Sequence, residues 1–270
     1  KREFIGMGTV IFCATDYYLN GGYRSYTDFF KLADLAGYPI IPLADIDPQS
    51  DNTYIFTPSN GETVMGWPDA TAQIILWQLE WMLTSEHNTP PGVRRVWASD
   101  AGFARQQGFE YVPMGSDERL NQVGSEHPAD KLFDVAMISY QTHRRQVITS
   151  QLMNQGLTLA PVDNLWGRQR SVALLQSKAM VHVHQHDSVQ TVAPLRWSIA
   201  AAHRLPIISE TVQDRGLFGY SAMVQADYSF LAAFTKTMVD DDRLLADYAS
   251  ALHGRLCVDN TFRKVVDAHV

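Results

Sequence analysis

The stretch VHVHQHDSVQTVAPLRWSIAAAHRLPIISE, residues 181–210, constrains the fold more than any other part of the chain. An apolar strand pattern leads through a polar loop into a helix pattern, and a tight turn then leads into a second apolar strand that ends in Glu210. Buried strands that alternate with helices are typical of parallel α/β sheets. Ligands of open parallel sheets bind at the carboxyl ends of the strands, so His184, Arg196 and Glu210 are candidates to face a ligand.

The rest of the chain repeats this alternation of strand and helix patterns. A first series begins with the strand pattern of residues 9–14 and continues with the strand pattern TYIF, residues 53–56. A second begins with the strand pattern of residues 133–139 and continues with the strand pattern LTLAPV, residues 157–162. The polar interval of residues 116–131 separates them and is predicted as the interdomain linker. We therefore predict an α/β protein of two Rossmann-like domains and a helical tail. The predicted bounds are residues 1–118, residues 119–230 and residues 231–270.

Charge and cysteine content exclude some classes of protein. The net charge of -7 and the pI near 5.7 argue against a broad nucleic-acid-binding surface, which usually makes a domain basic. The two cysteines, Cys13 and Cys257, lie far apart in apolar surroundings and are expected to be free thiols in a reducing compartment. No signal-peptide pattern and no sufficiently long apolar run occurs, so a cytoplasmic protein with no membrane partner is expected.

The loop after the first strand is a candidate for binding an acceptor or a phosphate. Its glycines permit positive φ angles and close approach to a ligand, and the next helix offers free N–H groups. It lacks both the G-x-G-x-x-G spacing and a P-loop lysine, and an ordinary turn between strand and helix is the alternative. Asp16 is the candidate general base, with a capping role as its alternative. The other candidates in this loop are Asn20, Gly21, Gly22 and Arg24.

Two arginines begin the helix that follows the first strand of the second series. Guanidinium groups match phosphate oxygens in shape and charge, and a helix N-terminus adds a favourable dipole. Arg144 and Arg145 are therefore predicted to bind a diphosphate, with a solvated basic helix start as the alternative. Arg196 is costly to place beside a packed face unless it is paired or meets an anion.

The histidines at positions 182, 184 and 186 alternate along a predicted strand and so share one face. Such a row can supply zinc ligands, but Asp187 is the one carboxylate at a matching position. We expect no metal; His184 is predicted to contact substrate and the other two histidines to be structural. Trp166 lies in a turn where an aromatic ring can stack on a base or sugar, with a place in the core as the alternative.

The order of these motifs resembles the second domain of GT-B glycosyltransferases. The segments that carry the resemblance are FDVAMIS, NLWG, SKAMVHVHQHDS and PLRWSIAAAHRLPIISE, and the earlier IILWQLEW and VWASDAGFARQQGFEYVPMG are also similar to that family. The likeness is greatest to the small bacterial and phage group related to spore-maturation glycosyltransferases. It implies two Rossmann-like domains that face each other across a cleft, with a nucleotide-sugar donor held mainly by the second.

The resemblance also assigns individual residues. His184 corresponds to the family's strand histidine, Arg196 to its helix arginine and Glu210 to its terminal glutamate, and residues 164–167 correspond to the turn near the nucleotide base. Two helix glutamates of the family, one of which commonly binds the donor ribose, are replaced by alanine and isoleucine. The candidates to replace that contact are Gln190, Thr191 and Ser198; the two replaced positions are Ala193 and Ile199.

These inferences predict a metal-independent glycosyltransferase that uses a nucleoside diphosphate sugar, expected to be UDP-linked, and no other cofactor. Arg144, Arg145 and Arg196 would neutralise the diphosphate leaving group. The expected acceptor is a hydroxyl of a glycan or small molecule, and a hydroxymethylated base in phage DNA is a less favoured acceptor. The sequence also leaves open a non-catalytic nucleotide-sugar-binding protein and a metal hydrolase that uses the histidine strand.

Overall fold

The structure is a computed structural model, and it describes residues 8–15, 27–57, 64–79, 89–123, 130–139, 141–162, 165–188, 191–212 and 224–270. The chain divides into two units. The first contains Lys1–Met114 together with Phe262–Val270, and the second contains Gly115–Thr261. No helix in the described ranges combines the length and apolar character needed to cross a membrane.

Strands and helices alternate along the described residues. The strands are β1 (Val10–Ala14), β2 (Ile40–Pro42), β3 (Thr53–Phe56), β4 (Gln73–Gln78), β5 (Arg95–Ala98), β6 (Glu110–Tyr111), β7 (Phe133–Ala136), β8 (Ser177–His182), β9 (Ile207–Glu210) and β10 (Val224–Ala226). The helices are α1 (Thr27–Leu35), α2 (Ala101–Gln107), α3 (His143–Asn154), α4 (Gly167–Leu175), α5 (Pro194–Ala202), α6 (Leu231–Val239), α7 (Asp242–His253) and α8 (Phe262–His269). A π-helical turn, Gly254–Asp259, follows α7.

The first unit is built on a parallel sheet with the strand order β2-β1-β3-β4-β5-β6. Its central strand β4 is buried along nearly its whole length, which explains the continuous apolar run in the sequence. Aromatic side chains fill one side of the core: the ring of Phe262 in α8 stacks on Trp77, and both lie against Phe29. The last helix of the chain is therefore part of this core.

The second unit is built on a parallel sheet with the strand order β10-β9-β8-β7. Val135 and Val181 on the strands pack with Leu231 and Leu245 of helices α6 and α7 in one buried cluster. Because the strands are parallel, the carboxyl ends of β7, β8 and β9 meet at one edge of the sheet.

The interval of residues 116–131 is not a free linker where the structure describes it. Ser116 is fully buried and its hydroxyl donates to the carbonyl of Ser198 (2.7 Å). The ammonium of Lys131 donates to the carbonyls of Leu175 (2.8 Å) and Ser177 (2.9 Å). Polar side chains here satisfy backbone carbonyls of the second unit, so a polar composition did not indicate a solvated connection.

Two other features, a domain boundary and a strand, differ from the sequence-based expectation. The predicted tail of residues 231–270 is divided, because α6 and α7 pack in the second unit whereas α8 belongs to the first. The predicted strand at residues 157–162 is reduced to a single bridge between Leu159 and Val135. The backbone N–H of Val162 donates to the carbonyl of Ala160 (2.8 Å) instead of continuing the ladder with β7, so the pairing ends there.

Candidate functional site

The candidate site lies at the carboxyl edge of the second unit's sheet, where helix α3 begins after β7. The side chain of Thr142 accepts a hydrogen bond from the backbone N–H of Arg145 (3.4 Å) and caps this helix. Arg144 lies in the first turn of α3, at the helix end whose backbone N–H groups have no acceptor in a preceding turn of helix. A cation is thus placed where the helix dipole already favours an anion.

Arg144 connects three strand ends. Its Nη2 donates to Oε1 of Glu210 at the end of β9 (2.5 Å), and its Nη1 donates to Asp187 in the loop after β8. The second carboxylate oxygen of Glu210 accepts the backbone N–H of His184 (3.0 Å). Glu210 is only 7% exposed in its side chain, so a buried carboxylate fixes the guanidinium of Arg144 and the backbone of the β8 loop together.

Tyr228, which follows β10, supports the same arginine from another side. The guanidinium of Arg144 lies 4.0 Å from the centre of the Tyr228 ring, and the Tyr228 hydroxyl donates to the carbonyl of Arg144 (2.9 Å). Burial alone would lower the pKa of Arg144, but hydrogen bonds and charge from Glu210 and Asp187 raise it. Arg144 is a fixed cation in a fixed position.

His184 is a neutral imidazole in this site. Burial lowers its pKa below the ordinary value of 6.5, against the opposing effects of Thr211 and Glu210. Its Nε2 lies 2.9 Å from the carbonyl oxygen of Thr211, which assigns the proton to Nε2. The residue is therefore suited to position a ligand or the loop around it rather than to carry a charge.

His182 and Arg196, which lies in the first turn of α5, form a second contact that is partly buried. Nη1 of Arg196 donates to Nδ1 of His182 (3.2 Å), and the imidazole lies against the ring of Trp197. Burial, helped by the charge of Arg196, holds the pKa of His182 well below 6.5. Because His182 stays neutral, it accepts from Arg196 without repelling it.

Arg145 has a different position from the one expected. Its side chain is buried, at 2% exposure, and its Nε donates to the carbonyl of Val183 (3.1 Å). The guanidinium of Arg145 is therefore used within the protein, where it holds the end of β8 in place. The sequence pattern of two adjacent arginines could not separate the two roles, since neighbouring helix residues point in different directions.

The remaining predicted contacts lie in the turn before α4 and at the start of α5. Trp166 is half-buried at the N-terminus of α4, and the guanidinium of Arg170 lies 5.5 Å from its ring centre. Thr191 is half-buried shortly before α5. Ser198 is fully buried and its hydroxyl donates to the carbonyl of Gly115 (2.8 Å), which removes it as a ribose contact.

The two positions that hold glutamates in the resembled family are not equivalent. Ala193 is the N-cap residue of α5 at the strand edge, whereas Ile199 is 2% exposed and lies in the core. Several further site residues predicted from the sequence lie outside the residues that the structure describes. They are Asp16, Asn20, Gly21, Gly22, Arg24, Asn164 and Gln190.

The histidine row does not form a cluster typical of a metal site. His182 and His184 are buried, whereas His186 is exposed. Within the described ranges, no group of three or more His, Cys, Asp or Glu side chains is arranged to hold a metal ion. Sequence reasoning did miss Tyr228; the short apolar segment that forms β10 ends shortly before it, and this is the signal that could have found it.

Comparison with known proteins supports the fold. No family model matches the chain, and no curated protein matches its sequence. A glycosyltransferase from Rickettsia africae ESF-5 has a similar structure, with a TM-score of 0.54 at 6% identity over 97% of this chain and 98% of that one. The DNA modifying enzyme β-glucosyltransferase is also similar, with a TM-score of 0.50 at 12% identity over 97% of each chain. The chain therefore has the α/β fold of GT-B glycosyltransferases, as its motifs predicted.

Proposed function

We propose that this protein is a glycosyltransferase that moves a sugar from a nucleoside diphosphate sugar to a hydroxyl acceptor. The observation that carries the proposal is the position of Arg144, a largely buried cation at a helix N-terminus on the carboxyl edge of a parallel sheet. This is the edge at which α/β proteins bind phosphorylated ligands. The similarity in fold to two glycosyltransferases supports the same interpretation.

The proposed chemistry needs a group that stabilises the departing diphosphate. The bond from the anomeric carbon to the diphosphate oxygen breaks, and the acceptor oxygen bonds to that carbon as its proton leaves. Negative charge grows on the diphosphate in the transition state, so a preorganised guanidinium and helix dipole lower the barrier. We assign this role to Arg144, with Arg196 as a second cation, and propose that no metal ion is required.

The other predicted residues have supporting roles in this proposal. His184 positions the donor or acceptor, Trp166 and Thr191 contact the nucleoside, and Asp16 is the general base if the reaction inverts the anomeric configuration. We propose a UDP-linked donor; the β-glucosyltransferase of similar fold has uridine diphosphoglucose as its substrate.

The acceptor is proposed to be a glycan or a small molecule. A base in DNA is the second candidate, because the β-glucosyltransferase of similar fold is a DNA modifying enzyme. The net charge of -7 favours the first candidate. Titration with duplex DNA separates the two, since binding to a DNA backbone weakens steeply as salt increases.

The test is a thermal-shift screen against UDP, GDP, ADP and dTDP and their sugars, followed by mass spectrometry for transfer or slow donor hydrolysis. A ligand that binds only the folded protein raises its unfolding temperature. We expect one nucleotide to give a shift that Arg144→Gln reduces and that the matched control Arg243→Gln retains, since Arg243 is exposed on α7. No shift with any nucleotide would refute the proposal; a shift without transfer or hydrolysis would favour a non-catalytic nucleotide-sugar-binding protein.

A further inference from the structure

The two carboxylates that hold Arg144 differ greatly in exposure. The side chain of Glu210 is 7% exposed and that of Arg144 is 15% exposed, whereas the side chain of Asp187 is 87% exposed. Asp187 projects from the loop that follows β8 and pairs with Nη1 of Arg144 on its solvent side. One partner of the arginine is thus built into the fold and the other is at the surface.

Replacing Glu210, the buried partner, with a ligand group would cost considerable stability. Glu210 also accepts the backbone N–H of His184, so its removal would leave a buried donor and a largely buried cation without this acceptor. Asp187, the exposed partner, can be replaced by a ligand at little cost, because an ion pair in contact with water contributes little net stability. A phosphate that approaches Arg144 would therefore compete with Asp187 and leave Glu210 in place.

Asp187 occupies Nη1 of Arg144, and its exposed carboxylate marks this donor as the one nearest to solvent. A carboxylate and a phosphate are both acceptors that a guanidinium binds through parallel N–H groups. The position of the Asp187 carboxylate is thus chemically suited to a phosphate oxygen.

We propose that the Asp187 carboxylate occupies a phosphate subsite on Arg144 and that the diphosphate of the donor displaces it. This inference rests on the proposed function. Asp187 is then an internal competitor that lowers the affinity of the protein for nucleoside diphosphates. It would favour release of the diphosphate product, because the carboxylate returns to Arg144 as the product leaves.

The experiment is calorimetric titration of the full chain with two ligands. One is whichever of UDP, GDP, ADP and dTDP binds most tightly, and the other is inorganic pyrophosphate, which lacks a base. Asp187→Asn removes the competing charge and keeps the shape of the side chain. The matched control is Asp247→Asn, which removes the same charge from an exposed position on α7. We expect Asp187→Asn to tighten binding of both ligands by about two- to five-fold, as loss of a weak exposed ion pair implies, and Asp247→Asn to leave it unchanged.

A second comparison separates local competition from a general charge effect. In the Arg144→Gln background, Asp187→Asn should no longer tighten binding, because the shared partner is absent. Unchanged or weaker binding in Asp187→Asn, or equal tightening in Asp247→Asn or in the Arg144→Gln background, would overturn this inference while the proposed function stands. Failure of the wild-type protein to bind any of the four nucleotides would instead overturn the proposed function and this inference with it.

Discussion

At the scale of single residues, Glu210 connects two parts of the candidate site because one buried carboxylate bonds two groups. It accepts Nη2 of Arg144 through one oxygen and the backbone N–H of His184 through the other. Arg144 in turn lies against Tyr228. The geometry proposed to bind a diphosphate is therefore maintained by a residue that need not contact the ligand.

Replacement of Glu210 should reveal this positioning role. We expect Glu210→Ala to lower the free energy of unfolding by roughly 3 kcal/mol, because it takes the acceptor from a largely buried cation and from a buried N–H group. Asp187→Ala should cost less than about 1 kcal/mol, since its pair with Arg144 is exposed on the carboxylate side. Urea unfolding of both variants measures the difference; equal costs would contradict this role for Glu210.

The buried histidines should make stability depend on pH. In the unfolded chain a histidine takes up a proton near pH 6.5, whereas burial holds the pKa of His182 well below that value in the native state. The unfolded state therefore binds more protons as the pH falls below about 6.5, and the free energy of unfolding falls with it, by up to about 1.4 kcal/mol per pH unit for each such histidine.

The variant His182→Asn tests this linkage because its amide oxygen can still accept from Arg196. We expect it to reduce the pH slope of the unfolding free energy measured by urea unfolding between about pH 7 and about pH 5. His186→Asn is the matched control, since His186 is exposed, and should keep the wild-type slope. If both variants keep that slope, His182 is not the titrating group.

At the scale of elements, the turn that leads into β5 depends on a glycine. Gly92 has φ +86°, and an added Cβ would lie 1.9 Å from the backbone carbonyl oxygen of Trp67. Gly108, which ends α2, has φ +71°, but an added Cβ there meets no atom of the described residues within 4 Å. The two positions share a left-handed backbone and differ in the space around it.

Alanine at these two positions separates backbone strain from steric clash. Gly108→Ala should cost about 1 kcal/mol of unfolding free energy, the usual cost of a left-handed backbone for a residue with a Cβ. Gly92→Ala should cost more than about 3 kcal/mol, because two backbone segments must also move apart. Denaturant unfolding of both variants measures this; equal costs would mean that the Trp67 segment moves aside freely.

Elements were predicted well where the local pattern is decisive. The run TYIF was predicted as a strand and is β3, because a short apolar run between turn residues has few other solutions in an α/β chain. The run at residues 157–162 was also predicted as a strand, yet only Leu159 pairs with a neighbour. A pattern of side chains indicates burial, but the number of ladder hydrogen bonds depends on a partner that the local sequence does not contain.

The candidate site was predictable in position and less so in detail. Strand ends of a parallel sheet converge, so the proximity of Arg144, His184 and Glu210 follows from topology. The burial of Arg145 and the contact of Tyr228 depend on how helices and distant segments pack. Both depend on tertiary packing, which the spacing of residues within one segment cannot predict.

At the scale of the whole molecule, the first unit is formed from two separate segments of the chain. The first unit is interrupted by the second and is completed by α8 at the end of the chain. Phe262 packs against Phe12, Phe29 and Trp77, and the Tyr38 hydroxyl donates to Asp267 (2.5 Å). The helical pattern of the tail could be predicted from sequence, whereas its division between two cores could not.

This connectivity predicts that a change at the end of the chain weakens the unit at its beginning. Phe262 is 1% exposed, so Phe262→Ala should cost about 3–5 kcal/mol through lost burial and a cavity. Hydrogen exchange should show the loss in the amides of β1 and β4, while those of β8 and β9 keep their protection. Phe230→Ala removes the same ring from a position that is 66% exposed and should leave both sheets unchanged. Loss of protection in β8 and β9 alone would mean that α8 stabilises the second unit instead of the first.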